Sequence, residues 1–380
     1  MIGIGATALL VACSSTEPAK TGSGAGGQAG TPATSSTGGH PATGGSAGSA
    51  SGGAGDVGGG AAGRAGTGGA AGVRGAAGAT GNRGDAGASG AGGIGGTGGT
   101  GGNGAVVVAP VANGKQIISG PYTAPPEATR MAGVPQGMLD TFTFNTSTVF
   151  PNTSRQVDIF TPAQYVAGTE VPFMVIQDGV EQLTAYHTNI VLENLIHQKR
   201  LPVMAAIFVD RPDNGPERSL EYDCLDDDYA RFIATDILPV VQKRHPDLKL
   251  TSNPDGRGSL GKSSGGPAAF TLGWRHPDLY RRILTLNGSF VNLCKDGPGA
   301  NTYANLVQTT DPAKPLRVYM FSGSNDNGGF AAGNQALADA LQAKGYAWRY
   351  VYGNGASHDN KYASSMIVEA LLWTWAGYPL

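Results

Sequence analysis

Gly261-Lys262-Ser263-Ser264-Gly265 sets a serine between glycines two places away on either side, and Gly266-Pro267 follows directly. This is the pattern of a strand–turn–helix in which the serine sits on a sharp, strained turn. Side chains two positions before and after the serine would clash there. Pro267 suits the first turn of the helix that follows, where its missing N–H costs nothing. A second formula overlaps the first, because Gly256-Arg-Gly-Ser-Leu-Gly261-Lys262-Ser263 also spells a phosphate-binding loop. Its context is wrong. Thr251-Ser252-Asn253-Pro254-Asp255 precedes it in place of a buried apolar strand, and the apolar run that ends in an acid, Val203–Asp210, comes before the motif instead of after it.

Working outward from Ser263, short apolar runs alternate with longer amphipathic ones. Strands are expected at Met138–Phe144, Arg155–Phe160, Phe173–Gln177, Val203–Val209, Arg257–Gly261, Ile283–Asn287, Arg317–Ser322 and Ala347–Tyr352. Helices are expected at Tyr229–Lys243, Gly265–Arg275, Asn334–Lys344 and Tyr362–Trp375. Strands separated by helices need crossover connections, so the sheet is mostly parallel with helices on both faces. The first two strands have only the turn Pro151-Asn152-Thr153-Ser154 between them, which suits an antiparallel edge. The class is α/β, and ligands belong at the carboxyl ends of the strands.

A serine elbow of this kind is followed along the chain by an acid at a later strand end and then by a histidine. Gly323-Ser324-Asn325-Asp326 follows the strand at Arg317–Ser322, and Gly353-Asn354-Gly355-Ala356-Ser357-His358 follows the strand at Ala347–Tyr352. His358 is the one histidine beyond the helix after the elbow; His276 ends that helix. Asp326 and His358 are therefore the candidate partners of Ser263. Asp359 is an alternative acid, but a neighbour in sequence points poorly at the histidine ring.

The two ends of the chain differ in kind. Of the 62 glycines, 38 lie in residues 1–104, whereas every Trp, Phe and Tyr lies beyond them. A segment without aromatics cannot bury enough apolar surface to offset the entropy of ordering it. Residues 14–104 are thus expected to be a disordered Gly/Ala/Ser/Thr-rich tether, with an r.m.s. span of roughly 50 Å. Residues 105–380 are expected to be one folded domain. Within the tether glycine recurs at every third position from Gly60 to Gly102, as in a collagen-like triple helix, but without any proline. Trimerisation through this repeat is the one route to an oligomer that the sequence offers. Residues 1–13 read as an export signal whose Leu10-Val11-Ala12-Cys13 is similar to a bacterial lipobox, which makes Cys13 a candidate for lipidation. The chain is then exported and lipid-anchored to a bacterial membrane, periplasmic or at the cell surface, where ATP is scarce. In that oxidising setting the two remaining cysteines, Cys224 and Cys294, are expected to be bridged. A net charge of −2 and the lack of a basic stripe exclude nucleic acid as a partner.

Further blocks accompany the elbow: Gly133-Val-Pro-Gln-Gly137, Phe150-Pro-Asn-Thr-Ser-Arg155, Thr161-Pro-Ala-Gln-Tyr165, Val175-Ile-Gln-Asp-Gly179 and Arg218-Ser-Leu-Glu221-Tyr222. Taken in order with Gly261–Gly266, Gly323–Asp326 and His358, they make residues 120–379 resemble the enterochelin esterase-like branch of the α/β-hydrolases, within the esterase D superfamily. The resemblance implies a serine esterase with Ser263 as nucleophile, His358 as base and Asp326 as orienting acid. It implies an oxyanion hole from the backbone N–H groups of Ser264 and Val180. Asp178, Arg218 and Glu221 are candidates for holding substrate or bracing a loop, and the expectation is a brace in which Arg218 and Glu221 pair with each other. Lys262 stands where relatives commonly carry a small residue.

The expected reaction is hydrolysis of a carboxylic ester through an acyl-enzyme. The substrate would be a siderophore ester, an acylated polysaccharide or a small ester. An acyltransferase on the same fold, or a tethered binding domain without turnover, are the alternatives. No metal-ligand spacing is present and no cofactor is implied.

Overall fold

A computed structural model describes residues 106–213 and 217–380. Cys13, the expected lipidation site, and the Gly60–Gly102 repeat lie outside the described residues. The order of elements starts with β1 (Gly114–Ser119), β2 (Met138–Phe144), β3 (Arg155–Thr161), β4 (Glu170–Val171) and β5 (Phe173–Gln177). Then come α1 (Gly179–Thr184), α2 (Thr188–His197), β6 (Ala205–Val209), α3 (Glu217–Asp223), α4 (Asp228–Phe232) and α5 (Leu238–Arg244). β7 (Lys249–Leu250), β8 (Arg257–Lys262), α6 (Gly265–Arg275), β9 (Arg282–Leu286) and α7 (Tyr303–Thr309) follow. The chain closes with β10 (Arg317–Asn325), α8 (Phe330–Ala343), β11 (Ala347–Ser357), α9 (Asn360–Ser365) and α10 (Ile367–Trp375).

Nine strands form one sheet in the order β1-β11-β10-β9-β8-β5-β6-β3-β2, and β4 pairs with β7 apart from it. All neighbours in the large sheet are parallel except β2–β3 and β3–β6. The antiparallel edge expected from the Pro151–Ser154 turn is therefore present, and the parallel body carries helices on both faces. The period of two along each strand divides the core. In β5, Met174 and Ile176 join Leu192, Leu195, Trp373 and Trp375 under α2 and α10 on one face. Phe173 and Val175 join Phe232, Ile233 and Val241 under α4 and α5 on the other. β10 repeats the arrangement: Tyr319 and Phe321 face the first layer, while Val318 and Met320 pack with Phe270 and Leu337 of α6 and α8. Each such side chain contributes about 1.5–3 kcal/mol by leaving water.

Three departures from the sequence-based expectations have local causes. β1 was not expected; it pairs with β11 over Gly114–Ser119 but leaves most of its side chains in solvent, so it lacks an apolar signature. The helix expected at Tyr229–Lys243 is interrupted at Ile233–Ile237, where the turn widens and Leu238 donates to Ile233 O just before Pro239. Proline cannot donate to the helix ladder, and the wider turn absorbs the defect. The helix expected at Tyr362–Trp375 is two, α9 and α10, divided at Met366.

Candidate active site

Ser263 lies between β8 and α6 with φ +55°, a left-handed value uncommon for a residue with a side chain. Such strain costs about 1–3 kcal/mol and persists only where the surroundings hold it. Here the Ser263 N–H donates to Leu286 O (3.1 Å), while Ser263 O accepts from Gly266 N (2.9 Å) and Ser289 N (3.1 Å). The glycine before the turn is obligatory: a Cβ on Gly261 would lie 1.9 Å from Gly265 O. The rival phosphate-loop reading fails for the same local reason. Arg257–Lys262 are strand β8, so no loop exists there to wrap a phosphate.

His358 follows β11, and its Nε2 is 2.9 Å from Ser263 Oγ. Its Nδ1 is 2.6 Å from Asp326 Oδ1, on a side chain wholly withdrawn from solvent. The two loops meet because β10 and β11 shift register between Gly323 and Asn325. A Cβ on Gly323 would lie 2.1 Å from Ala356 O, so only glycine permits that approach. Phe330, at the start of α8, sets its ring 5.1 Å from the His358 ring. Asp359 is turned away and caps α9 by accepting from Lys361 N (2.8 Å).

One member of the site went unnoticed in the sequence. Asn287, fully buried at the end of β9, donates from Nδ2 to Asp326 Oδ2 (2.8 Å). The same Nδ2 reaches Ser357 O at 3.4 Å, so one amide tethers both the acid and the loop that carries His358. Its own φ is +47°, fixed by its N–H on Phe321 O (2.7 Å). The signal available was Asn287-Gly288 directly after an apolar strand, since Asn tolerates the left-handed region better than most residues.

Ser264 precedes the first turn of α6, and Val180 lies in the first turn of α1, where N–H groups have no partner within the helix. Burial pushes the Asp210 carboxyl up, and the backbone N–H groups of Arg211 and Val180 pull against that rise. Behind Ser264, burial likewise raises the Asp223 carboxyl, which accepts from Ser289 Oγ at 3.1 Å. Lys262 does not turn toward the serine: its Nζ bonds Asn360 Oδ1 and lies 3.9 Å from Glu181.

The expected pairing of Arg218 with Glu221 is not what forms. Arg218 grips Asp178 with two bonds of 3.0 and 2.8 Å, whereas Glu221 binds Arg155 with two of 2.6 and 2.7 Å. The reason is burial. Arg155 on β3 is completely enclosed, and a buried cation left unpaired would be strongly destabilising. Asp178, itself 1% exposed, claims Arg218 on the same ground. A Cβ on Gly265 would sit 3.0 Å from Asp178 Oδ2, which puts the Arg218–Asp178 pair against the start of α6. Cys224 and Cys294 are joined by a disulfide with Cα atoms 4.7 Å apart, as the sequence led us to expect. Among the described residues no group of three or more His, Cys, Asp or Glu side chains is placed to hold a metal ion.

A mostly parallel sheet with helices on both faces, and a serine elbow meeting a histidine and an acid at the carboxyl ends of the strands, define an α/β-hydrolase. Residues 147–373 match the family described as "Putative esterase", and the chain belongs to that family. Within the fold its similarities include enterobactin esterases. It is 25% identical over 236 residues to the iron(III) enterobactin esterase of Dickeya dadantii (strain 3937), across 59% of this chain and 52% of that one. It is 22% identical over 250 residues to the uncharacterized protein YbbA of Bacillus subtilis (strain 168), across 58% and 93%. Among solved structures, the enterobactin esterase of Shigella flexneri in the presence of enterobactin superposes with TM-score 0.55 and 22% identity, over 67% of this chain and 62% of that one. A ferulic acid esterase from Anaeromyces mucronatus in complex with ferulic acid gives 0.54 and 16%, over 68% and 98%. This chain thus spans about half the length of the Dickeya esterase.

Proposed function

We propose that the protein is a serine carboxylic-ester hydrolase that works through an acyl-enzyme on an extracytoplasmic ester. The observation that carries this reading is the continuous contact Ser263 Oγ–His358 Nε2–His358 Nδ1–Asp326 Oδ1, at 2.9 and 2.6 Å. In the first half-reaction His358 Nε2 accepts the Ser263 proton while Oγ bonds the ester carbonyl carbon. The carbonyl oxygen takes the negative charge, facing the N–H groups of Ser264 and Val180. Loss of one such donor typically costs about 3 kcal/mol of barrier. The C–O bond to the alcohol then breaks, and His358 returns the proton to the leaving oxygen. Water repeats the sequence on the acyl-serine and releases the acid. Asp326, held by His358 Nδ1 and Asn287, keeps the imidazole oriented and offsets its charge when protonated.

The substrate classes to try are a siderophore ester, an acylated polysaccharide or a small ester; enterobactin and ferulic acid are the molecules named for the similar structures. Export is supported by the disulfide, which persists in oxidising compartments. Among the described residues no helix is long and apolar enough to cross a membrane. We place residues 1–13 as the lipoprotein signal ending in Cys13, residues 14–104 as the tether and residues 105–380 as the catalytic domain. The test is hydrolysis of p-nitrophenyl acetate together with labelling by a serine-directed phosphonate. Turnover that the phosphonate abolishes, with the label on Ser263, is the expected outcome. Full activity in Ser263→Ala would reject the assignment, and a folded protein without turnover would leave a binding domain.

A further inference from the structure

The opposite edge of the sheet, at the amino ends of the parallel strands, gathers cations that ester hydrolysis does not use. Arg282 and Arg317 open β9 and β10 and are register partners, so two guanidinium groups stand on adjacent strands. Like charges so placed repel each other. Arg282 is only 8% exposed, and neither arginine has a carboxylate at ion-pair distance among the described residues. Their bonds go to carbonyls instead. Arg282 donates to Asp255 O (2.5 Å) and Thr374 O (2.6 Å), and Arg317 donates to Trp373 O (2.8 Å).

Thr374 and Trp373 belong to the last turn of α10, whose terminus offers about half a negative charge to two whole positive ones. The rest is met by ring faces and by no full negative charge: Arg282 lies 5.1 Å from the Trp375 and Tyr378 ring centres, Arg317 3.9 Å from that of Trp373 and Lys314 4.9 Å from that of Trp274. Arg281 and Lys314 stand beside them, and a cavity of about 370 Å³ opens among the four cations. Asp255 is the one carboxylate lining it, and it is already engaged by Arg281 at 3.2 Å. Burial, with Arg317 adding to it and Asp255 pulling against it, takes the Arg282 guanidinium down to about 10.

We propose that this cavity binds a phosphate-type oxyanion, taken either as inorganic phosphate or as the phosphate of a lipid headgroup. Planar guanidinium forks and an ammonium lining one cavity suit a tetrahedral anion with many acceptor oxygens. An anion between Arg282 and Arg317 would also remove the repulsion that the resting structure carries. The site lies at the edge of the sheet away from Ser263, so it leaves the esterase centre open.

The test is calorimetric titration of the full chain with inorganic phosphate, against sodium chloride at matched ionic strength. Lys314→Gln and Arg281→Gln leave the carbonyl bonds to α10 untouched. Each is expected to weaken phosphate binding by about tenfold or more, the loss expected for one charge-assisted contact, with ester hydrolysis unchanged. Flotation on phosphatidylglycerol against phosphatidylcholine vesicles separates the two sources. A phosphatidylglycerol preference that added phosphate abolishes assigns the headgroup, and phosphate binding without lipid preference assigns the free anion. Equal responses to phosphate and chloride, or phosphate binding that both substitutions leave intact, overturn the proposal.

Discussion

Ser263 and Asn287 share an unusual feature: both hold left-handed backbone at the ends of neighbouring strands, at φ +55° and +47°. The first was legible because its glycines obey a steric rule that shows in the sequence. The second was not, because what makes Asn287 useful is a contact with Asp326, 39 positions later in the chain. Asn287→Ala leaves one oxygen of a buried carboxylate short of a donor beside the histidine. A hydrogen bond to a charged group contributes about 1.5–3 kcal/mol, so kcat on p-nitrophenyl acetate should fall roughly 10- to 100-fold with KM little changed. Asn287→Asp, which puts a second carboxylate there, should be worse. Ser263→Ala and His358→Ala should each remove nearly all turnover, and the double substitution should lose little more, because the groups act as a unit. Additive losses in that double mutant would show that Ser263 and His358 do not share a proton. Arg155 and Glu221 teach the converse lesson. The Arg-x-x-Glu spacing suggested a local pair, but the demand of a buried guanidinium for a carboxylate outweighed proximity in sequence.

Elements were legible in proportion to their burial. β5 and β6 are buried along their whole length and read as apolar runs, broken only by Gln177 at the end of β5, whereas β1 is an exposed edge that reads as loop. The short helices α1, α2 and α3 also escaped notice, since the first and last have too few residues to display a helical period. The widened turn at Ile233–Ile237 has a consequence that can be measured. It presents Asp236, whose carboxylate accepts from Ser147 Oγ (2.6 Å), Thr148 N (2.8 Å), Thr148 Oγ1 (2.6 Å) and Val149 N (3.3 Å). Burial alone would raise this carboxyl, but the hydrogen bonds from Ser147, Thr148 and Val149 outweigh it and hold the group below the ordinary aspartate value. A depressed carboxyl stabilises the fold fully above its unfolded value, about 3.9, and that stability is lost as pH falls through the lower folded value. Asp236→Asn should therefore cost about 1–3 kcal/mol at pH 7, read as a lower urea midpoint. The gap between the two proteins should close as the pH drops below 4. A gap that stays constant down to pH 2 would mean that the carboxylate charge contributes nothing.

At the scale of the whole molecule, the chain is closed upon itself by contacts between residues far apart in sequence. The Cys224–Cys294 bridge spans 70 positions and ties the end of α3 to the loop after β9. A loop of that length confers about 4 kcal/mol, so Cys224→Ala with Cys294→Ala should lower Tm by on the order of 10 °C. A second closure joins the start of the described chain to its end. Val108 N donates to Tyr378 O (2.8 Å), Gly377 N to Val108 O (3.0 Å) and Leu380 N to Val106 O (2.8 Å). Val108 is 1% exposed, and Ala112 O accepts from both Arg349 Nη1 and Trp373 Nε1 at 3.1 Å. β1 then covers β11, the strand that carries His358 at its end. The tether we place at residues 14–104 and the segment at 106–119 should consequently behave in opposite ways when removed. A chain beginning at residue 105 should keep the Tm and the kcat of the full chain. One beginning at Gly120 loses the buried Val108, about 1.5–3 kcal/mol by itself, along with six strand pairings and the acceptor beneath Trp373. It should melt well below the longer piece and lose activity first, because the bare edge of β11 is the support of the His358 loop. Equal melting temperatures for the two pieces would show that the first strand is an ornament and that the domain begins after it.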